Sequence, residues 1–358
     1  MASRSVTLRA LFLVVLFGVA WAHALGLTRL ADPTDIDWMI SGGDWMAHFF
    51  GWLFVRAAPW GLPLGQAPAL LAPHGTNAAL TDAIPLLSTL GKVLSPLAPD
   101  RFQLFGLWLV GGVIGTGVAG VLSVRAWFKD VWSLTWAGCL FVMNPIVSTR
   151  AGHPSFMAFW VLTGLVGATL WPVPDARSGR RVAIVTLVLC LVATGIHGYL
   201  AVMAAALVGA SLLRLALVAR PFAWPERLAW FFAGPVVTLF GLWLFGYLGS
   251  FGGGKPTNMT AEGFGQFSAD LLTFFNPITW SRFVPAFGMG PRQYEGYAYL
   301  GLGTAALLLV GLASLVWRRP SRAAWLTAAP VVVITLVMFG YALSNHVTIG
   351  GREIADFT

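Results

Sequence analysis

Charged residues are scarce in this chain of 358 residues: they make up only 10% of it, while 57% of the residues are hydrophobic. This balance excludes a soluble globular domain, in which about a quarter of the residues carry charge. Cysteine is also scarce. The two cysteines, Cys139 and Cys190, both fall inside apolar stretches, so no disulfide framework is indicated and both are predicted to be packing residues.

Several catalytic motifs are missing as well. The sequence contains no Walker A loop, no HExxH zinc motif and no GxSxG nucleophile elbow, which argues against the enzyme classes built on them. The short basic turns between the apolar stretches are too small to fold into a site for a soluble nucleotide sugar.

Apolar stretches dominate what is present. A hydrocarbon core of about 30 Å needs roughly 20 apolar residues per helix. Nine stretches approach that length: 7–27, 102–124, 131–147, 156–171, 183–197, 199–218, 229–248, 296–317 and 323–343. The sequence therefore predicts an all-α, polytopic transmembrane helix bundle of about nine spans. Arg4, Arg9 and the Ala22-His23-Ala24 run also fit a cleavable signal peptide, but we favour an uncleaved first helix.

The basic residues set the orientation of these spans. With a cytoplasmic N-terminus, the inner side carries thirteen of the 22 Lys and Arg residues and three of the 14 acids, which leaves nine bases and eleven acids outside. The short basic loops, including 177–181, then all lie inside, as the positive-inside rule requires. The net charge of +8 is thus a topology signal, and no nucleic-acid partner is indicated.

Two long segments remain outside the membrane, 28–101 and 249–295, within a single module that spans 1–358. The first contains an apolar run, 83–97, that is short, bounded by proline and interrupted by Lys92. We predict that this run is an interfacial helix on the outer side.

Four carboxylates crowd the start of the first outer segment: Asp32, Asp35, Asp37 and Asp44. Asp35-Ile36-Asp37 matches an Asp-x-Asp metal motif, although two acids at this spacing arise easily by chance. Asp44 opens an amphipathic stretch, where it suits either the N-cap of a helix or a general base or metal ligand at the membrane surface. His48 lies one turn later on the same helix face, where it is able to share a proton or a cation with Asp44.

Four further residues stand where outer turns meet apolar stretches. Asp82 suits either a helix cap or a place in the site. Arg150 offers a fork that matches phosphate, and His153 follows it; snorkelling to lipid headgroups is the alternative for the arginine. His197 has no carboxylate near it in the sequence, so a structural role competes with a place in the site.

The second outer segment adds Lys255, Arg282, Arg292, Tyr294 and Glu295. Cations facing an acidic first segment would suit an anionic lipid headgroup whose leaving group is a phosphate.

The order of these parts resembles the GT-C superfamily of membrane glycosyltransferases. The segments GDWMAHFFGWLFVRAAPWGLPLG, LTDAIPLL, TRAGHPSF, IHGYLAVM, DLLTFFNP and QYEGYAYLGLG resemble more closely a bacterial GT-C-like family of unassigned function, over most of residues 30–350. The resemblance implies a polyprenyl-phosphate-linked sugar donor, inverting transfer outside the membrane and a catalytic carboxylate at Asp44, with Asp82 as a second acidic position.

The expectation is therefore a glycosyltransferase of the bacterial cytoplasmic membrane whose active site faces outward. Asp44 and Asp82 are the expected catalytic residues. The expected substrate-binding residues are His48, Arg150, His153, His197, Arg292, Tyr294 and Glu295. A divalent cation, Mg²⁺ or Mn²⁺, is left open at Asp37 and Asp44. The expected partners are a lipid-linked sugar, an outer-surface glycan, lipid or protein acceptor, and membrane lipids.

The alternative functions are a transporter or flippase of lipid-linked sugars and a non-enzymatic scaffold with a transferase-like fold.

Overall fold

The structure is a computed structural model that describes residues 2–218, 222–248, 265, 267–290, 293 and 296–357. Within this part of the chain the protein is mostly helical, with two short β-hairpins. The elements are α1 (Arg4–Ala24), α2 (Gly43–Ala57), β1 (Gln66–Ala67), β2 (Thr76–Asn77), α3 (Pro85–Leu94), α4 (Phe105–Val124), α5 (Val131–Val142), α6 (Pro145–Thr149), α7 (Phe159–Leu170), α8 (Ala176–Thr194), α9 (Gly198–Val218), α10 (Trp224–Leu244), α11 (Leu302–Arg318), α12 (Arg322–Leu343), β3 (His346–Ile349) and β4 (Arg352–Asp356).

Each of the nine predicted apolar stretches contains a helix. Six helical segments of the described chain are long and apolar enough to cross a membrane: α1, α4, α9, α10, α12 and the stretch Val131–Gly152 that includes α5. Of the other three, α7 and α11 belong to shorter apolar helices, and α8 opens with Arg177, Arg180 and Arg181. The mostly helical architecture with several membrane-compatible helices is confirmed, while the number nine stays a prediction.

The described chain forms two compact units. The first comprises the described parts of Met1–Met143 and Arg150–Lys255, and the second those of Asn144–Thr149 and Pro256–Thr358. In the first unit α4 packs against α1, α5 and α7, and α9 packs against α7, α8 and α10. Both predicted packing cysteines, Cys139 and Cys190, are buried free thiols here.

Glycines allow α4 to approach its neighbours closely. A Cβ on Gly106 would overlap the carbonyl of Leu30, and one on Gly112 would overlap that of Met157. Small residues let helix backbones meet where packing rather than water exclusion drives association. The fold therefore uses glycine-rich α4 as the central contact of the first unit.

The run 83–97, which the sequence predicts to be interfacial, forms α3 and a following 3₁₀ turn, Ser95–Leu97. Ten residues of α-helix span about 15 Å, half of a hydrocarbon core, so α3 is too short to cross a membrane. Lys92 Nζ donates to the carbonyls of Ala58 and Pro59, at 2.8 and 3.1 Å, and thereby ties α3 to the end of α2.

The second unit contains α6, α11, α12 and the hairpin β3–β4. No residue of α12 is buried within the described chain, and most of its large apolar side chains are exposed. Such an apolar surface suits lipid rather than water. The hairpin is held by Asp270, whose carboxylate accepts hydrogen bonds from the Gly350 and Gly351 amides, each at 3.0 Å.

Candidate functional site

Four elements of the first unit bring the predicted acids and histidines together. Asp44 lies in the first turn of α2, and Asp82 lies in the turn before α3. His153 precedes a 3₁₀ turn, Pro154–Ala158, that leads into α7. His197 lies at the junction between α8 and α9. Residues far apart in the sequence thus meet where several helices begin or end.

Asp44 pairs with His153. Asp44 Oδ2 lies 3.0 Å from His153 Nδ1, and the two side chains are 49% and 30% exposed. The N-cap of α2 is Gly42, so the interpretation of Asp44 as an N-cap is wrong. Gly42 adopts a positive φ of 119° that disfavours other residues. The Asp44 carboxylate is therefore bound to an imidazole and still reachable from solvent.

His48 contacts the backbone of Asp44 rather than its carboxylate. His48 Nδ1 lies 2.7 Å from the Asp44 carbonyl oxygen, and Nε2 lies 3.0 Å from Ser155 Oγ. The predicted sharing of a proton or cation between the two side chains is replaced by this contact and by the pairing of Asp44 with His153.

Burial fixes the protonation of His48. The side chain is almost fully buried, and burial lowers its pKa, so the neutral ring is favoured. A carbonyl oxygen only accepts, so the Nδ1–H must donate to Asp44, and Nε2 then accepts the Ser155 hydroxyl proton. Ser155 Oγ also lies 3.3 Å from the Asp82 carbonyl. If His48 were protonated, Nε2 would donate to Ser155 Oγ instead of accepting from it, and the Ser155 hydroxyl would then donate to the Asp82 carbonyl.

Asp82 pairs with His197. His197 Nε2 lies 3.0 Å from Asp82 Oδ1, so the histidine that has no carboxylate nearby in sequence has one across the fold. The N-cap of α3 is Ile84, without a side-chain cap, so Asp82 is not a helix cap either. The hydrogen bond from His197 lowers the pKa of Asp82, against the opposing effect of burial. Asp82 is therefore an ionised acceptor at neutral pH.

The tautomer of His197 follows from its second nitrogen. The Tyr199 amide donates to His197 Nδ1 at 3.1 Å, so Nδ1 is an acceptor and the ring proton of neutral His197 lies on Nε2, facing Asp82. An imidazole held this way at both nitrogens keeps a fixed direction.

Aromatic rings border both pairs. The Phe156 and Tyr199 rings lie nearly parallel, at an interplanar angle of 7° and a centroid distance of 6.1 Å. The His197 ring meets each of them edge-on, at 4.9 Å. The Arg150 guanidinium carbon lies 5.9 Å from the centre of the Phe156 ring. Tyr199 is 60% exposed, so part of this aromatic surface is open.

The remaining predicted site residues divide into two groups. Lys255, Arg292, Tyr294 and Glu295 lie outside the described residues. Asp37 is described: its amide donates to Asp35 Oδ1 at 3.1 Å. Within the described ranges, the one group of three side chains spaced for metal binding is His346, Glu353 and Asp356 in the second unit. A cation at Asp37 and Asp44 stays a prediction.

Sequence reasoning missed three contributors, Ser155, Phe156 and Tyr199. Ser155 and Phe156 follow His153 in the segment TRAGHPSF, and Tyr199 follows His197 in IHGYLAVM. The signal was their closeness to a histidine at the start of an apolar helix. Nothing local revealed that Ser155 would meet His48, 107 residues away.

Comparison with known proteins gives one match. No curated protein and no solved structure matches the chain. The model of a family described as a domain of unknown function, DUF6311, matches residues 15–358, and the chain therefore belongs to the DUF6311 family.

Proposed function

We propose that the protein is a membrane glycosyltransferase that moves a sugar from a polyprenyl-phosphate-linked donor to an acceptor at the outer face of the bacterial cytoplasmic membrane. The observation that carries the proposal is the pair of carboxylate–imidazole contacts, Asp44–His153 and Asp82–His197, both at 3.0 Å. In such a pair the imidazole holds the carboxylate in one orientation and is able to pass a proton on, so the carboxylate is positioned to accept a proton from a bound hydroxyl.

The exposure of the two acids supports a catalytic role. The Asp44 and Asp82 side chains are 49% and 47% exposed although each contacts an imidazole. A purely structural ion pair gains nothing from remaining open to substrate, whereas a general base must reach the hydroxyl that it deprotonates. Asp44 is the better candidate for the base because the resemblance to GT-C enzymes places their catalytic carboxylate there.

In the proposed reaction Asp44 accepts the proton of the acceptor hydroxyl. The acceptor oxygen forms a bond to the anomeric carbon of the sugar while the bond from that carbon to the phosphate oxygen breaks, and polyprenyl phosphate leaves with the electron pair. His153 orients the Asp44 carboxylate. Arg150, which lies in the same segment TRAGHPSF as His153, is the expected partner of the departing phosphate because its fork matches phosphate geometry.

The exposed aromatic surface is consistent with a sugar substrate. Tyr199 and Phe156 present stacked rings beside His197. Large rings with an open face offer an apolar contact to the C–H groups of a sugar while hydroxyl groups remain free for polar partners. This surface would hold the donor or the acceptor beside Asp82.

The change that tests the proposal is Asp44→Asn, which removes the charge and keeps the shape. Purified chain in detergent is incubated with undecaprenyl-phosphate hexoses that carry a labelled sugar, together with extracted membrane lipids and glycans as acceptors. Transfer of label should fall by at least about 10²-fold in the variant, because the general base is lost.

Asp35→Asn is the matched control, since Asp35 lies in the segment just before α2 and its carboxylate accepts a local bond from the Asp37 amide. It should retain transfer. A folded Asp44→Asn protein that transfers sugar at the wild-type rate would remove Asp44 as the base, and loss in Asp82→Asn instead would assign the role to Asp82. Absence of transfer by the wild type with every donor would favour the scaffold alternative.

A further inference from the structure

The hairpin at the end of the second unit gathers three side chains that bind metals. His346 begins β3, and Glu353 and Asp356 lie on β4. One ligand atom from each residue lies within 4.8 Å of the other two. The hairpin turns at Gly350-Gly351, both at positive φ, which is the backbone of a tight two-residue turn.

A β-bulge places both acids on one face. His346 pairs with Asp356 and Thr348 pairs with Glu353, with a register irregularity between Val347 and Thr348. Residues three apart in a regular strand point to opposite faces. The extra residue that the bulge accommodates in β4 returns Glu353 to the face of Asp356 and His346. Bulges commonly re-aim a side chain in this way.

The distances suit a shared cation better than direct hydrogen bonds. His346 Nδ1 lies 3.3 Å from Asp356 Oδ1 and 3.5 Å from Glu353 Oε2. Charge-assisted N–H···O bonds are shorter, at about 2.7–2.9 Å. Ligands about 2.0–2.2 Å from a tetrahedral Zn²⁺ are separated from each other by about 3.3–3.5 Å.

The charges of the cluster also accommodate a cation. Two carboxylates that face one imidazole nitrogen need a positive charge between them, which either a protonated ring or a bound cation supplies. The His346 side chain is 8% exposed, while those of Glu353 and Asp356 are 53% and 39% exposed. One ligand is therefore held by packing, and two can close on an ion that arrives from solvent.

The surroundings hold the hairpin in place before an ion binds. Asp270 accepts from the turn amides and, at 2.9 Å, from the Thr348 hydroxyl, and the Leu271 amide donates to the Thr348 carbonyl at 3.0 Å. The Phe357 amide donates to the Asn345 carbonyl at 2.9 Å beyond the ligand pair. A preorganised backbone lowers the cost of assembling ligands around a metal.

We propose that His346, Glu353 and Asp356 bind a divalent transition-metal ion, with Zn²⁺ as the ion that fits their spacing and one nitrogen and two oxygen ligands as the donor set. This site is separate from Asp37 and Asp44 and does not rest on sugar transfer. Its role is to fasten the two strands of the hairpin together.

The test uses the full chain in detergent, purified through a tag without histidine and stripped of metal with a chelator that is then removed. Titration calorimetry with ZnCl₂, MnCl₂ or MgCl₂ measures binding, and thermal unfolding with and without each metal measures stabilisation. The wild type should bind Zn²⁺, and its unfolding temperature should rise with Zn²⁺ more than with Mg²⁺. Glu353→Gln and Asp356→Asn should each weaken that binding at least tenfold.

Arg352→Gln is the matched control, because Arg352 lies on the opposite face of β4. Its loss removes a positive charge, so Zn²⁺ binding should be unchanged or slightly tighter. The proposal is overturned if the wild type takes up no Zn²⁺, or if both acid variants bind it as tightly as the wild type does. The second result would mean that a protonated His346 bridges the two acids and that zinc binds elsewhere. If one acid variant does not fold, Zn²⁺ binding by the other acid variant tests the proposal.

Discussion

Hydrogen bonds fix the direction of two imidazoles at the candidate site. His197 accepts from the Tyr199 amide at Nδ1 and faces Asp82 through Nε2, while His48 donates to the Asp44 carbonyl and accepts from Ser155. A fixed tautomer gives each ring a defined task as donor or acceptor. The site is therefore polar but ordered, with two carboxylates that remain accessible.

The pairing of Asp82 with His197 has a pH signature. The pKa of Asp82 is lowered by the hydrogen bond from His197, so the folded protein binds that proton less readily than the unfolded chain does. The stabilisation is complete above the ordinary aspartate value of about 3.9 and is lost as pH falls through the lowered folded-state value. Asp82→Asn should therefore lower the unfolding temperature at pH 6–7 and lose this effect as the pH falls below about 4.

The size of this effect is limited by solvent. The Asp82 side chain is 47% exposed, so the pair should contribute no more than about 1 kcal/mol. Thermal unfolding of wild type and Asp82→Asn in one detergent, from pH 7 to pH 3, measures the difference, with Asp35→Asn as the control for removal of a loop carboxylate. A difference that stays constant across this range would show that Asp82 acts through shape alone.

Sequence identified most of the residues of this site but not their pairs. Helical spacing indicated His48, one turn away, as a residue able to share a proton or cation with Asp44, because local periodicity is all that a single segment reveals. The structure pairs Asp44 with His153, 109 positions along the chain, and Asp82 with His197, 115 positions along. Such pairs depend on which helix ends meet in the folded unit, and the hydrophobic pattern of a single helix carries no information about that.

At the scale of elements, α4 shows how composition becomes packing. One face of the helix buries Phe105, Leu109 and Val113, and glycines occupy positions where neighbouring backbones approach. The apolar pattern predicted that this segment would be a helix. Its glycines gave no indication of which backbone each would meet, because that depends on the partner helices.

Two glycines of α4 form a matched test. A Cβ at Gly106 would overlap the Leu30 carbonyl, whereas one at Gly111 meets no atom within 4 Å. Gly106→Ala should lower the free energy of unfolding by about 1–3 kcal/mol or more, because backbone must shift to admit the methyl group. Gly111→Ala should be neutral or stabilising by up to about 1 kcal/mol, since alanine favours the helix.

Denaturation in detergent, followed by tryptophan fluorescence, measures both variants on the same helix. Equal destabilisation by the two substitutions would indicate a general intolerance of α4 to alanine rather than contact with Leu30. A stable Gly106→Ala protein would show that the turn Leu27–Ala31 moves away from α4 at little cost.

At the scale of the whole molecule, the two ends of the helices in the first unit carry different kinds of charged residues. Arg180 pairs with Glu226 at 2.7 Å where α8 and α10 begin, and Arg214 donates to the carbonyls of Thr169 and Trp171 where α7 ends. The opposite ends of α7, α8 and α9 carry the two carboxylate–imidazole pairs. The charge count predicts that the ends with Arg180 and Arg214 face the cytoplasm and that the ends with the two carboxylate–imidazole pairs face outward.

Cysteine labelling tests that orientation directly. His74 lies in the first outer segment and Pro174 lies between α7 and α8, and both side chains are exposed. In intact bacterial cells that express the chain, a membrane-impermeant maleimide should label His74→Cys, and it should label Pro174→Cys only after the membrane is permeabilised. The unsubstituted chain is the control, because Cys139 and Cys190 are buried and should react slowly. Labelling of both positions from the same side would mean that the chain crosses the membrane an even number of times between residues 74 and 174, whereas the predicted topology has an odd number. The short helix α7 would then be the first element to reassign, because Asp44 and His153 lie in sequence before and after α3 and are in contact, which keeps them on one side of the membrane.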